Sequence, residues 1–163
     1  MKKVVLTLFV ALMPALIWSQ ESADIEAKYA KQIRNLAKSR EVERAFQAIY
    51  ALEPFTTEQH VELTEIAAPP FKEQQRAEAF AARLRSVGLD SVWIDTVGNV
   101  LAYLPGTKGG KTVALNAHLD TVFPEGTDVT VVQRNDTLFA PGIGDDTRGL
   151  AMVLTIARTM IEQ

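Results

Sequence analysis

The sequence predicts an α/β layered domain with a mostly parallel central sheet, incomplete at its C-terminus, and three observations carry that expectation. Apolar residues recur at helical spacing from residue 21 to residue 87. The period then changes to short, β-branched runs separated by glycine-rich turns, and a strongly apolar helical pattern returns at the end. With 163 residues, 47% of them hydrophobic, the chain can bury one real core.

The elements are read in chain order. "MKK", then the apolar "VVLTLFVALMPALIW", then "SQES" is the layout of a secretory signal peptide over residues 1–19, with a cut after Ser19. Its apolar stretch of roughly fifteen residues is short for a membrane span, which needs about 20. A retained membrane anchor is the rival reading. No cysteine is present, so neither a disulfide framework nor a lipid-bearing cysteine is available. The expectation is an exported protein, periplasmic or secreted, with no stable membrane insertion after signal cleavage. A net charge of −3 and the lack of a Lys/Arg cluster argue against nucleic acid as a partner.

Residues 20–53 read as a helical lead-in, one bent helix or two consecutive ones, with Ile25, Tyr29, Ile33 and Leu36, then Val42, Phe46 and Ile49 at helical spacing. The remainder, 54–163, is the domain proper. Pro54 breaks the pattern, and Thr56 with Gln59 is spaced as a capping box for a helix to about Ala67. A further helix is expected from about Lys72 to Val87, capped by Gly88. "SVWID", "NVLAYLP" and "KTVALNAH" read as three strands, the first two close enough for a hairpin and the third apolar enough for burial on both faces. "VTVVQRNDTLFA" offers two more around "RND". A last helix starts near Arg148, and it reaches Gln163 with no capping signal, from which a fragment of a longer protein is expected.

Two segments hold residues suited to chemistry. In "NAHLD", Asn116, His118 and Asp120 alternate onto one side of a strand and emerge at its C-terminal end, where ligands bind in open α/β sheets. Asp120 is placed to hold the ring of His118, as carboxylates do for metal-bound histidines. A strand end merely hydrated by polar residues explains the same triplet. In "GIGDDTRG" the acidic pair opens a helix, where carboxylates are favoured in any case, so Asp146 as a plain N-cap needs no metal. His60, the only other histidine, reads as a solvated residue of an upstream helix.

Taken together, "NAHLDTVFPEG" and "LFAPGIGDDTRGLA" resemble the paired metal motifs of the aminoacylase, glutamate carboxypeptidase and desuccinylase family of di-zinc metallopeptidases, which includes tripeptide aminopeptidases. "ELTEIAAPPFKEQQRAEAFAARLRSVGL" and "DTVGNVLAYLPG" resemble the same family, so the similarity extends from about Phe55 to the end. The resemblance implies a zinc-peptidase-like catalytic domain in which His118 ligates one metal and Asp146 bridges two zinc ions, with cobalt or manganese as substitutes. It makes Asp120 the residue orienting His118, leaves Asp145 structural, and implies a cis peptide after the bridging aspartate, here Asp146–Thr147. It also implies a Glu-Glu pair carrying the general base, and further ligands, beyond Gln163.

The expected activity is hydrolysis of amide or peptide bonds in a small peptide or N-acyl amino acid, with the 163 residues inactive alone. Any homodimer contact would lie in the same further part. A secreted non-catalytic α/β module, using the same acids as caps or for one structural cation, is the alternative, and a membrane-tethered interaction domain is a third.

Overall fold

Helix boundaries in the first half follow from caps and proline chemistry. The computed structural model describes residues 27–107 and 109–162. The expected signal peptide, residues 1–19, and the start of the lead-in lie outside the described residues. The lead-in forms two helices, α1 (Ala27–Ala37) and α2 (Arg40–Ala51). They part at Ser39, whose extended backbone and side-chain oxygen, accepting from the Val42 amide at 3.3 Å, make it an N-cap. Neither helix has a fully buried residue, so the core lies elsewhere.

Helix α3 (Glu53–Thr64) starts earlier than the capping-box reading placed it. Pro54 occupies the first turn, where a missing N–H costs nothing, and opens the helix instead of breaking it. Thr56 therefore lies inside the helix, donates to the Leu52 carbonyl at 3.0 Å and shares a 2.7 Å hydrogen bond with Thr155. Helix α4 (Gln74–Ser86) ends at Gly88, whose φ of +104° suits glycine, and the Leu89 amide reaches back to the Leu84 carbonyl at 3.2 Å.

Strands β1 (Ser91–Ile94) and β2 (Val100–Tyr103) form the expected hairpin, antiparallel, with Ser91 opposite Tyr103 and Ile94 opposite Val100. Its turn is tied by Asp95, which accepts from the Val97 and Asn99 amides at 3.0 and 2.8 Å. Strands β3 (Val132–Arg134) and β4 (Thr137–Phe139) pair antiparallel around Asn135. The final helix is α5 (Arg148–Glu162). None of the helices among the described residues is long and apolar enough to cross a membrane.

The sheet departs from expectation. Among the described residues there are two separate two-stranded antiparallel sheets and no parallel pairing. "KTVALNAH" has no strand partner here, and Val113 and Leu115 are exposed. A ladder needs a neighbour to supply its hydrogen bonds, and an all-apolar strand needs cover on both faces. The described residues supply neither.

What is packed is a helical layer on the β1–β2 hairpin. Leu63 of α3, Phe80, Ala81 and Leu84 of α4, Leu89, Val92 of β1, and Leu150 and Leu154 of α5 form one buried cluster. Ala117 and Leu119 pack on its edge, which fixes the strand-end segment between them and turns its alternate residues outward.

Candidate metal centre

Two loops converge beside α3. The first, 117–121, is anchored by its backbone: the Thr121 amide donates to the Ala68 carbonyl at 2.9 Å, and the Arg76 guanidinium donates to the Leu119 carbonyl at 2.7 Å. Between those anchors, His118 and Asp120 stand half-exposed on one side. The second loop, Ile143–Thr147, is a wide turn with Asp145 and Asp146 in non-helical backbone conformations. It enters through Gly142, at φ +77°, where an added Cβ would lie 2.6 Å from the Thr121 Cγ2. Only glycine lets the loops meet this closely.

The His118 ring is held at both nitrogens. Nδ1 lies 3.0 Å from the Asp120 carbonyl and 3.1 Å from its carboxylate. A carbonyl can only accept, so Nδ1 carries a proton, and Nε2 is the nitrogen a metal would take, in place of any proton it shares with Asp145. Nε2 lies 2.8 Å from Asp145 Oδ1. That hydrogen bond to Asp145 raises the imidazole pKa above its ordinary value, against partial burial and with help from the Asp120 and Asp146 carboxylates.

The two aspartates differ in their surroundings. Asp146, read as the bridging ligand, turns both oxygens to backbone: Oδ2 accepts from the His118 amide at 3.1 Å and Oδ1 from the Gly149 amide at 3.1 Å. The second bond is that of an N-cap three residues before its donor, the metal-free reading of this residue. Asp145, read as structural, has the exposed carboxylate beside His118. The non-proline cis peptide is correspondingly Asp145–Asp146, one bond earlier than Asp146–Thr147. Each Asp146 oxygen thus has one acceptor site engaged by an amide, whereas the Asp145 carboxylate faces solvent and an imidazole.

Gly149 completes this arrangement, because a Cβ there would collide with the Asp146 carboxylate. Gly149→Ala is therefore expected to cost about 1–3 kcal/mol by overpacking, read as a lowered melting temperature. An unchanged melt would mean that the Asp146 cap yields freely.

His60 departs from its reading as a solvated residue. It is buried, and its Nε2–H donates to the Ile143 carbonyl at 2.6 Å. One turn on, buried Thr64 shares a 2.7 Å hydrogen bond with Thr147, whose hydroxyl also lies within reach of the Gly142 and Ile143 carbonyls. Sequence reasoning missed Arg76, His60, Thr64 and Thr147 as residues that shape the site. The available signal was on α3, where Thr56, Gln59, His60, Leu63 and Thr64 share one helical face with a buried leucine at its centre.

Among the described residues no group of three or more His, Cys, Asp or Glu side chains is arranged to hold a metal. The groups that do converge, one imidazole and one solvent-facing carboxylate, are of the kinds zinc takes and would fill only part of a four-coordinate site.

A search of curated proteins finds no match to this chain. Residues 99–163, somewhat under half of the chain, match the family model of peptidase family M28. That is a zinc-peptidase family related to the aminoacylase and carboxypeptidase group, and the matched stretch contains His118, Asp120, Asp145 and Asp146, which makes a metal-dependent peptidase the activity it points to.

Proposed function

We propose that this chain supplies one part of the active site of an exported, zinc-dependent peptidase or amidohydrolase, with His118 and Asp145 as metal ligands. The observation that carries the reading is the 2.8 Å approach of His118 Nε2 to Asp145 Oδ1 while Nδ1 is held by Asp120, inside the stretch that matches the peptidase model. His118 and Asp145 would hold part of a zinc ion's ligand set, and such an ion would supply acidification of a water molecule towards pKa about 7 and polarisation of the scissile carbonyl.

The chain's own groups have separate tasks. Asp120 keeps Nδ1 protonated and points Nε2 outward, which settles tautomer and ring orientation together. Asp145 offers a carboxylate that needs little desolvation before binding. Asp146 spends its charge on the His118 and Gly149 amides and so fixes the backbone from which both ligands project.

Two tetrahedral zinc ions would need about eight coordination places, and His118 with a shared Asp145 would fill only three. The general base and the remaining ligands therefore come from outside these residues, and the 163-residue chain is expected to bind zinc weakly and hydrolyse nothing. The substrate class is a short peptide or an N-acyl amino acid. Export rests on residues 1–19 and is tested by the mass of the mature N-terminus, where loss of those residues supports it and a retained Met1 contradicts it.

The test of function pairs two proteins: the 163-residue chain, and the product of the reading frame continued past Gln163, each supplied with zinc and short peptide and N-acyl amino acid substrates. Chelator-sensitive hydrolysis by the longer product alone, lost in His118→Ala, is the expected result. Chelator-sensitive hydrolysis by the 163-residue chain would overturn the division of the site, and an inert longer product with its zinc bound would overturn the peptidase reading.

A further inference from the structure

We propose that Arg76 and His60 are positioning residues that refer the two metal-facing loops to a single rigid helix, α3, and so set the separation of His118 and Asp145. The inference rests on the metal role proposed for that pair.

Arg76 is wholly buried, an unusual place for a guanidinium. Its donors span two segments: Nε reaches the Ile66 carbonyl at 2.9 Å, just past the end of α3, and Nη1 reaches the Leu119 carbonyl at 2.7 Å. Leu119 sits between His118 and Asp120, so this bond, together with that of the Thr121 amide to Ala68, holds the backbone from which both side chains project. Burial pushes the Arg76 pKa down to about 10, with the Asp120 charge opposing the shift. Taking such a group out of water is costly. A helix could be joined to a loop by a neutral side chain, whereas a planar fork with fixed donors fixes the distance between two carbonyl-bearing segments.

His60 does for the second loop what Arg76 does for the first. Its ring donates to the Ile143 carbonyl, two residues before Asp145, and Thr64 binds Thr147 two residues after it. Both contacts start from α3, whose C-terminal end also receives Arg76. The loops are 27 residues apart in sequence, yet one is tied to the last turns of α3 through His60 and Thr64, and the other through Arg76 to the residues just past that helix. Ligand geometry depends on such supporting contacts, whose loss typically weakens metal binding by about 10- to 100-fold.

The experiment is zinc titration of the 163-residue chain by calorimetry, with the histidine side chains followed by NMR; with only two histidines in the sequence, the signals are separable. Arg76→Lys keeps the charge and loses the fork. It is expected to retain a cooperative melt, weaken zinc binding at least about 10-fold, and move the His118 resonances even without metal. His60→Ala is expected to weaken zinc binding likewise, and His60→Gln, which keeps a donor for Ile143, to restore most of it.

Leu84→Ala, destabilised in the core without removing any of the hydrogen bonds that tie the loops, serves as the control and is expected to leave zinc affinity unchanged. Equal losses in Arg76→Lys and Leu84→Ala would reduce the clamp to ordinary stability, and unchanged affinity with unmoved His118 resonances in Arg76→Lys would overturn the proposal. If zinc fails to touch His118 in the unmodified chain, the metal reading fails instead, and the metal-free His118 resonances of Arg76→Lys still decide whether Arg76 positions the ring.

Discussion

Asp145→Ala is expected to leave the fold intact and remove zinc binding, whereas Asp146→Ala is expected to unfold the chain more easily. The two residues are adjacent and chemically identical, so the contrast isolates geometry. Asp145 is exposed, and among the described residues its carboxylate hydrogen-bonds to the His118 ring alone; little stability depends on it. Asp146 accepts from two amides, and removing it leaves the His118 and Gly149 N–H groups without that partner. Hydrogen bonds to a charged group contribute about 1.5–3 kcal/mol, so a loss of that order is expected for Asp146→Ala. Thermal melts and zinc titration of both variants check this. The reverse pattern, with zinc lost in Asp146→Ala at unchanged stability and Asp145→Ala silent, would return the ligand role to Asp146.

Leu154→Ala is the largest stability effect expected. Leu154 is wholly buried in α5, in one cluster with Leu63, Phe80, Leu84 and Leu150, where α3, α4 and α5 meet. Truncation loses transfer free energy and leaves a cavity that helices held from three sides close poorly, for a cost of about 2–5 kcal/mol. In a domain of this size each kcal/mol lowers the melting temperature by about 2–4 °C. A loss of less than about 1 kcal/mol would mean that the cluster collapses around the gap and is packed less tightly than its burial suggests.

Different kinds of information explain what was legible in the sequence and what was not. Helix α4 with Gly88, the β1–β2 hairpin and the strand pair around Asn135 are local: capping glycines and turn residues within a few positions determine them. The start of α3 was misread because Pro54 fits a first turn as well as a break, and Thr56 suits both a cap and an interior position that pairs with Thr155. "KTVALNAH" has the composition of a buried strand, but pairing is a property of neighbours, and no run of residues specifies it alone.

The two loops of the candidate site were legible as segments, since glycines and acids at a helix start stand out, but the different surroundings of Asp145 and Asp146 were not. They depend on which carboxylate the backbone turns toward the Gly149 and His118 amides, a fact of torsion angles that two identical side chains do not advertise. His60 was read as solvated because its partner, the Ile143 carbonyl, is 83 residues away.

The most direct measurement is a zinc titration of the unmodified chain followed on the imidazole nitrogens of His60 and His118. The expected result is a selective shift at His118 Nε2, with Nδ1 keeping its proton and donating it to Asp120, and His60 unmoved, because His60 already donates to the Ile143 carbonyl. A His118 ring indifferent to excess zinc, or a shift confined to His60, would contradict the assignment of His118 and Asp145 as the metal-facing pair.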